Sequence, residues 1–406
     1  MEAAACRRRT ISARCLLACL TAFAVVPSTA QIRFFVPNAT IEAPASGSIN
    51  GVAQDRHTLF IHSVPQLTQV YARRGPLRWD LQATLEPPPA QYGFEGIADV
   101  DGDLAVGKAV LEGPVNEPPR GAVVVYQRVN GVWQFTHALT APEEHAVGFG
   151  NSIDVDGETI AISSYTGGGA VFVYRRTASG DVVLQQEIDT EAGEQRAALD
   201  SGTLLVSAPD LRFPGALYRV AVYELTEQGA VLVQTLLPSD PVRGETFGDS
   251  LSIRGDLAVI GAPFSERRGG CGFMSERFGA GNAFVFERGH DGVWKEVALL
   301  SNPDCGWFFG GNAATDGKRI LSSASYIGDP SGQHADGRSY LYERRRGAWT
   351  LQGALMAPMC SNGFGVGSLV NKTLLAGNAG GGVLYVFRMN HLIAAPPRTC
   401  NPPSSP

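Results

Sequence analysis

The sequence has no apolar run long enough to cross a bilayer, few charged residues and no common catalytic or metal-site motif. Its longest apolar run, Cys15–Val26, has about a dozen residues, whereas a membrane-spanning helix needs about 20. Charged residues make up only 18% of the chain and the formal net charge is −6, which argues against the basic face of a nucleic-acid-binding protein. No CxxC pair, HExxH, GxSxG or phosphate-binding loop occurs.

The first thirty residues have the pattern of a cleaved secretory signal. Four arginines precede the short apolar run, and Pro27–Ala30 then places small residues where a signal peptidase recognises them. We predict a signal peptide over residues 1–30 and a mature protein that is secreted, periplasmic or held at the cell surface. Arg8-Arg9 also fits part of a twin-arginine signal. Leu16–Cys19 fits a lipoprotein cleavage pattern, although almost no apolar segment precedes it.

Cleavage before Gln31 would remove three of the seven cysteines. An even number would remain in an oxidising compartment, where disulfides are favoured. The remaining cysteines are Cys271, Cys305, Cys360 and Cys400. Four cysteines allow three pairings, and the absence of a CxxC spacing argues against a zinc site. Cleavage would also remove four arginines and one glutamate, which makes the mature chain more acidic.

The composition is typical of many short strands joined by many turns. The chain contains 48 glycines and 25 prolines, too many for a helical protein. Its hydrophobic content of 44% is sufficient for a packed core, so the chain is not expected to be disordered.

Five segments repeat an aromatic residue, usually followed by glycine, with a turn residue seven positions later. The aromatic residues are Phe94, Phe149, Phe247, Phe309 and Phe364. The turn residues are Asp101, Asp156, Arg254, Asp316 and Asn371. Two weaker copies fill the gaps, with Ser48 and Gly193 at the aromatic position and Asp55 and Asp200 at the turn. Seven repeats about fifty residues apart indicate a propeller or a solenoid.

Each repeat contains four strand signals. The first run ends in an Asp-Gly type of turn, which favours a two-residue hairpin. The second alternates large and small apolar residues, and the third is rich in β-branched and aromatic residues, as in Ala122–Arg128. The fourth opens on a tryptophan in four repeats: Trp79, Trp133, Trp294 and Trp349.

The seventh repeat lacks its fourth strand, and a matching strand stands at the start of the mature chain. The repeat ends after its third strand at Arg388, whereas residues 32–44 have the pattern of a fourth strand. We therefore predict that the N-terminal strand completes the last repeat and closes a ring. A ring of sheets buries both faces of every sheet and protects the edges.

This pattern resembles the FG-GAP repeats of integrin α-chain propellers, and more closely their bacterial relatives with FGxSVxxDGDxLxVGAP followed by GAVYVFxR. The resemblance covers residues 32–390. It implies an all-β fold, a seven-bladed β-propeller of four-stranded antiparallel blades over residues 31–390, followed by a Pro-rich tail over 391–406. For integrins the family also implies a ligand-binding face used in cell adhesion.

The resemblance raises the question of calcium, because integrin-like repeats often carry Asp-rich calcium loops between their first two strands. Asp99, Asp101 and Asp103 in one repeat, and Asp154 and Asp156 in the next, have such a composition. Calcium needs six or more oxygen ligands from a loop of about a dozen residues. These turns are too short, so we predict Asp-Gly turns and no metal or other cofactor.

The longest loops carry the strongest sequence signal for binding. Loops between second and third strands share one face of the disk with the links between repeats, and the longest loop spans 263–281. Exposed arginine and aromatic residues are typical of recognition sites, and the alternative is that these residues only cover the disk and pack around a disulfide. The candidate binding residues are Arg267, Arg268, Phe273, Met274, Arg277, Phe278 and His334.

The same face is expected to carry the disulfides. Cys271 lies in the long loop, and Cys305 and Cys360 lie in links between repeats. We predict a Cys271–Cys305 bridge and, by elimination, a Cys360–Cys400 bridge. The histidines show no ligand spacing, and we predict that those in loops, His145 and His334 among them, are solvated.

The sequence therefore favours an exported, monomeric binding or adhesion module that recognises an extracellular protein or glycan and has no catalytic residues. The alternatives are a carbohydrate-active enzyme, such as a polysaccharide lyase or hydrolase, and a structural part of a surface assembly. An enzyme would need carboxylates that converge in the central channel. The nearest candidates are Glu95, Asp154 and Asp249.

Overall fold

The chain forms an all-β structure in which short strands are joined by turns. A computed structural model describes residues 32–42, 48–63, 67–113, 117–190, 196–210, 217–241, 245–265, 280–304, 307–328, 335–356, 364–370, 373–378 and 383–393. Within these ranges there are 28 strands and one short 3-10 helix, Glu143–His145. No helix in this part of the chain is long and apolar enough to cross a membrane.

Twenty strands form five four-stranded antiparallel sheets, each made of consecutive strands, as in the blades of a propeller. Blade 1 contains β2 (Ile49–Gln54), β3 (Thr58–Ser63), β4 (Leu67–Arg73) and β5 (Trp79–Thr84). Blade 2 contains β6 (Tyr92–Asp101), β7 (Leu104–Leu111), β8 (Arg120–Val129) and β9 (Val132–Leu139). Blade 3 contains β10 (Ile153–Asp156), β11 (Thr159–Ser164), β12 (Ala170–Arg176) and β13 (Val182–Asp189).

The two following blades have the same order. Blade 4 contains β14 (Ala197–Asp200), β15 (Thr203–Asp210), β16 (Leu217–Thr226) and β17 (Gly229–Leu236). Blade 5 contains β18 (Ser250–Arg254), β19 (Leu257–Ala262), β20 (Asn282–Arg288) and β21 (Trp294–Ser301). Blades 1 and 4, whose repeats are weak in sequence, are therefore complete.

The remaining strands form one sheet of eight, so the strand pairing gives six sheets where the repeats predict seven. Its strands are β22 (Asn312–Thr315), β23 (Arg319–Gly328), β24 (Ala335–Arg345), β25 (Ala348–Leu355), β1 (Phe34–Glu42), β26 (Phe364–Val370), β27 (Thr373–Asn378) and β28 (Val383–Ile393). The two halves are joined because β1 pairs on both sides. It is antiparallel to β28 along its length and parallel to β25 at Phe34 and Phe35. Strand β28 also continues to Ile393, past Arg388, where the repeat pattern predicts its end.

Two-residue turns join the first two strands in blades 2 to 5, as the Asp-Gly pattern predicts. The pairs Asp101↔Leu104 and Asp156↔Thr159 close two of these turns, and the glycine that follows each aspartate has a φ near +60°. The β2–β3 and β22–β23 connections have three residues instead. There the aspartate carboxylate accepts the backbone N–H groups two and three residues later, so Asp55 and Asp316 each stabilise a wider turn.

The hydrophobic core lies between neighbouring blades. One cluster combines Val106 and Val125 of blade 2 with Phe149, Ile160 and Phe172 of blade 3. The repeated aromatic residue is central to this packing, since Phe149, Phe247 and Phe309 are almost completely buried. Each blade therefore completes the core of its neighbour, which no blade could bury alone.

Glycine in the repeat allows the backbones of adjacent blades to touch. A Cβ atom built on Gly121 of β8 would lie 1.9 Å from the carbonyl oxygen of Phe149 in the next blade. A Cβ on Gly261 of β19 would lie 1.9 Å from the carbonyl oxygen of Gly310. The Phe-Gly segment of one repeat thus packs directly on the backbone of the preceding repeat, which explains why small residues recur at these positions.

Candidate functional site

The links between blades and the loops between second and third strands form one face, called here the loop face. In blade 3, Ser164 Oγ at the end of β11 donates to the His145 carbonyl oxygen in the preceding link (2.7 Å). The Gly148 backbone N–H donates to Thr166 Oγ1 (3.3 Å). Next to blade 5, the Phe309 N–H donates to the Ala280 carbonyl oxygen (3.2 Å). These contacts place both sets of segments at one end of the strands.

The residues predicted to bind or to form disulfides all lie outside the described residues. They are Arg267, Arg268, Phe273, Met274, Arg277, Phe278, His334, Cys271, Cys305, Cys360 and Cys400. The same holds for the predicted signal peptide and for most of the C-terminal tail. These assignments therefore remain predictions.

The described part of the loop face presents aromatic side chains. Phe264, which follows β19, is 42% exposed, and its ring lies 5.2 Å from that of Phe308 in an edge-to-face arrangement. Phe308 is partly exposed and has a φ of 62°, a backbone conformation that is costly for a bulky residue. In blade 3, Tyr165 is also exposed. Phe264 lies within the predicted loop 263–281, but the candidate binding residues were taken from the middle of that loop and did not include it.

Two histidines are buried, so the prediction that loop histidines are solvated is wrong for His145. Its Nδ1 lies 2.8 Å from the Thr166 carbonyl oxygen, and its Nε2 lies 3.2 Å from Glu187 Oε1. His62 is buried at the blade 1–blade 2 boundary, where its Nδ1 lies 2.8 Å from Thr68 Oγ1. The His62 ring packs against Phe94 of blade 2, and the His145 ring packs against Phe172 of blade 3, so neither is free to bind a ligand.

The opposite face carries the turns between first and second strands and is called here the turn face. At each of four boundaries a turn aspartate accepts a backbone N–H of the next blade. The bonds run from Gly102 N to Asp55, from Gly157 N to Asp101, from Ser201 N to Asp156 and from Gly255 N to Asp200, at 2.7–3.1 Å. The turn aspartates therefore join blades 1 to 5 in series.

Negative charge is concentrated at the turn-face end of the first strands. Asp200 is buried, with 4% exposure, and also binds Arg254 Nη1 at 2.7 Å. Burial raises the pKa of Asp156, and the nearby Asp200 and Asp101 carboxylates raise it further. Arg254 is the positive charge that partly compensates for these three aspartates.

Two more aspartates, Asp99 and Asp154, lie on the first strands of blades 2 and 3, two residues before the turn aspartates. The Val155 backbone N–H donates to Asp99 Oδ2 (2.8 Å) and to Asp154 Oδ1 (3.0 Å), so two carboxyl groups meet at one donor. Asp154 Oδ2 accepts the Leu199 N–H (2.6 Å). Burial raises the pKa of both aspartates, and the Asp99 carboxylate further raises that of Asp154.

The three carboxylates that would favour an enzyme do not converge. Glu95 is exposed and lies 3.5 Å from Lys108, at the end of β6 away from Asp101. Asp249 directly precedes β18, at the end of that strand away from Arg254, whereas Asp154 is two residues from its turn. Counted from the repeated aromatic residue, Glu95 and Asp249 stand one and two positions along, whereas Asp154 stands five positions along. Three to four residues of strand span about 10–13 Å, and Glu95 and Asp249 belong to blades 2 and 5. These residues therefore do not form one catalytic site.

The Asp99–Asp154 pair also has the wrong spacing for hydrolysis of a glycosidic bond. Glycosidase carboxyl groups stand about 5 Å apart in retaining enzymes and about 6.5–9.5 Å apart in inverting enzymes. An oxygen of Asp99 and an oxygen of Asp154 both lie within 3.0 Å of the Val155 nitrogen, which leaves no room for a sugar between them. Nowhere in the described ranges do three His, Cys, Asp or Glu side chains come together as a metal site requires.

Comparison with solved structures supports the fold. The WD40 β-propeller domain of Doa1 aligns with a TM-score of 0.51 and 10% sequence identity, covering 87% of this chain and 96% of that domain. Sqt1 of Saccharomyces cerevisiae aligns with a TM-score of 0.45 and 12% identity, covering 88% of this chain and 98% of that one. At such low identity the likeness to Doa1 indicates the β-propeller fold alone. No curated protein sequence matches this chain.

Comparison with protein families identifies the repeat. The model of the FG-GAP repeat matches residues 231–286, which include most of β17, all of β18 and β19, and most of β20. The matched segment contains Phe247 and the turn at Arg254, the positions that define the repeat in the sequence. The chain therefore carries an FG-GAP repeat within a β-propeller of four-stranded antiparallel blades.

Proposed function

We propose that this chain is an exported binding module that recognises an extracellular glycan or protein through its loop face. The observation that supports this most directly is the aromatic pair Phe264–Phe308, which lies on that face and is partly open to solvent. Exposed aromatic side chains offer large, rigid contact surfaces at low entropic cost, and they are enriched in binding sites.

The position of Phe308 gives a second reason to assign the pair to binding. A φ of 62° suits glycine, whereas a bulky side chain there costs about 1 kcal/mol or more. The neighbouring Phe309, by contrast, is completely buried and packs against Tyr340 and Tyr342. Thr246, at the same position before Phe247, also has a positive φ of 52°, so the repeat itself imposes this conformation. What favours binding is that the side chain placed there in the next repeat is a partly exposed aromatic ring.

The proposal can be tested by screening the full chain on a glycan array and on immobilised extracellular proteins, and then comparing variants. Phe264→Ala and Phe308→Gly should each weaken binding of the ligand found by about 10-fold or more, as expected for interface aromatics. Phe308→Gly is informative because it removes the ring and also relieves the backbone strain, so stability should change by less than about 1 kcal/mol.

A matched control is available on an outer strand. Leu81 in β5 is 54% exposed but far from the loop face, so Leu81→Ala should leave binding unchanged. Equal losses in Leu81→Ala and Phe264→Ala, or full binding by Phe308→Gly, would contradict the assignment to the loop face.

The enzymatic alternative has weaker support. Glu95, Asp154 and Asp249 lie at different levels of their strands, and the carboxylates near the turn face accept backbone N–H groups of the next blade. A carboxylate that holds two blades together is not free to act as a general base. Hydrolysis or elimination of any bound polysaccharide, lost in Asp154→Asn but not in Glu95→Gln, would restore this alternative.

We further propose that the eight-stranded sheet consists of two blades and that the propeller is a closed ring of seven. Strand β1 is antiparallel to β28 from Phe34↔Ile393 to Glu42↔Val383, so it can serve as the fourth strand of the last blade. Strand β2 contacts β26, and Ile49 and Ile61 of blade 1 share a core cluster with Leu384 and Val386 of β28. A chain lacking residues 31–42 should then lose cooperative unfolding, whereas an open arrangement would tolerate that loss.

A further inference from the structure

Asp99 and Asp154 place two carboxyl oxygens at one backbone N–H group. The oxygens Asp99 Oδ2 and Asp154 Oδ1 both lie within 3.0 Å of the Val155 nitrogen. One N–H group cannot satisfy two negative charges in a partly buried site. A proton on Asp154 Oδ1 would satisfy them, because it could be donated to Asp99 Oδ2 while Asp154 Oδ2 still accepts the Leu199 N–H.

The same bonds connect three blades. Asp99 belongs to β6 in blade 2, Asp154 and Val155 belong to β10 in blade 3, and Leu199 belongs to β14 in blade 4. The chain of bonds therefore runs across two blade boundaries at the level of the first strands. Any change in charge at this pair acts on both boundaries at once.

The surroundings favour the singly charged pair. On its own strand each aspartate is followed, two residues later, by another carboxylate, Asp101 or Asp156. The turn of β2 adds Asp55, and β14 adds Asp200, which is paired with Arg254 of β18. A second negative charge on the pair would be placed among four carboxylates and one guanidinium, which is unfavourable.

We propose that the Asp99–Asp154 pair is a proton-dependent latch, which holds blades 2, 3 and 4 together in acidic surroundings and loosens their first strands, β6, β10 and β14, when its proton is lost. In the latched state the two carboxyl groups share one proton and carry one negative charge. Loss of that proton leaves two carboxylates that repel each other at a single N–H group.

The direction of the pH effect follows from linkage. Burial raises the pKa of both aspartates in the folded chain, whereas in the unfolded chain they titrate near about 3.9. Above that pH the folded state retains the proton that the unfolded state has released. The latch therefore contributes fully below about pH 4, and its contribution is lost as pH rises through the folded pKa of the pair.

Asp154→Asn tests the latch because the amide imitates the protonated carboxyl group. Its nitrogen can donate to Asp99 at every pH, its oxygen can accept the Leu199 N–H, and the Val155 N–H keeps Asp99 Oδ2 as its acceptor. The melting temperatures of the unaltered full chain and of Asp154→Asn are measured at pH 4, 5, 6, 7 and 8. At the acidic end of this range the two should be equal. At the alkaline end the variant should melt higher by about 2–5 °C.

A control variant and a local readout separate the latch from general charge effects. Glu95→Gln removes a carboxylate from the same strand as Asp99, but an exposed one, so its melting temperatures should follow those of the unaltered chain at every pH. Hydrogen exchange of the Val155 and Leu199 amides should accelerate with pH in the unaltered chain beyond the intrinsic rise, and Asp154→Asn should suppress that excess. A constant difference between Asp154→Asn and the unaltered chain at every pH would overturn the proposal, as would excess exchange that persists in the variant.

Discussion

Replacing Gly121 by alanine tests how closely the backbones of neighbouring blades approach. Gly121 is buried in β8 and its φ is not in the left-handed region, so alanine costs nothing in backbone conformation at this position. The added Cβ atom would meet the Phe149 carbonyl oxygen at 1.9 Å and the Phe149 carbonyl carbon at 2.8 Å. Any destabilisation of this variant therefore measures the overlap alone.

The magnitude follows from that overlap. Cβ atoms essentially never come closer than 3.0 Å to another heavy atom, so blades 2 and 3 must separate by about 1 Å at this point. Overpacking of a core costs about 1–3 kcal/mol when side chains can adjust. Here the obstacle is a backbone oxygen, which adjusts less than a side chain, so we expect a loss of about 3 kcal/mol or more in the free energy of unfolding.

The assay is thermal and urea unfolding of the full chain, with Gly75→Ala as the control. Gly75 has no atom within 4 Å of its added Cβ and no positive φ, so alanine there should be neutral or stabilising by about 0.4–1 kcal/mol. Gly121→Ala should melt about 4 °C lower or more, since a chain of this length changes by roughly 1–2 °C per kcal/mol. Melting of both variants within about 1 °C of each other would refute the direct backbone contact between blades.

Four further outcomes are expected. Phe309→Ala should lower the free energy of unfolding by about 3–5 kcal/mol in urea unfolding, because the ring is completely buried against Tyr340 and Tyr342; a loss below about 1 kcal/mol would contradict its place in the core. Asp200→Ala should cost about 1–3 kcal/mol in the same assay, since it leaves the Gly255 N–H and Arg254 without their acceptor; an unchanged midpoint would argue against the bonds between blades 4 and 5. Peptide mapping without reduction should find Cys271 joined to Cys305 and Cys360 joined to Cys400, and a Cys271–Cys360 peptide would exclude this pairing. Addition of calcium or EDTA should leave the melting temperature unchanged, and a rise with calcium would require a metal site that the short turns do not predict.

The repeat made the architecture predictable, because its signals are local. The Asp-Gly turns, the β-branched third strands and the opening tryptophans each specify one element, and the four strands of blades 1 to 5 follow from them. Even the tryptophans have a consistent environment, since Arg73, Arg128 and Arg288 at the ends of third strands lie over Trp79, Trp133 and Trp294. The number of sheets was less predictable, because the pairing of β1 with β25 depends on how far two non-adjacent strands extend.

Contacts between blades were harder to predict than the blades themselves. Asp99 and Asp154 are 55 positions apart, and each is compatible with a simple turn when its own repeat is considered alone. Their meeting at Val155 depends on the packing of β6 against β10. The burial of His145 was also hard to predict, because its partners Thr166 and Glu187 lie 21 and 42 positions further along the chain, in the blade that its link leads into.

Comparison of equivalent positions shows what distinguishes the Asp99–Asp154 pair from the contacts between other blades. Asp99, Asp154 and Ser252 occupy the same position in their repeats, five residues after the aromatic position, and each accepts a backbone N–H of the next blade, from Val155, Leu199 and Thr315 respectively. The serine makes that bond with a neutral group, so it demonstrates that the contact needs no charge. Aspartate at two successive repeats is therefore not required for joining blades, and it carries the cost of two neighbouring carboxylates. That cost disappears when one of the two aspartates is protonated. The pair therefore makes the stability of this contact between blades depend on pH, whereas the serine contact does not.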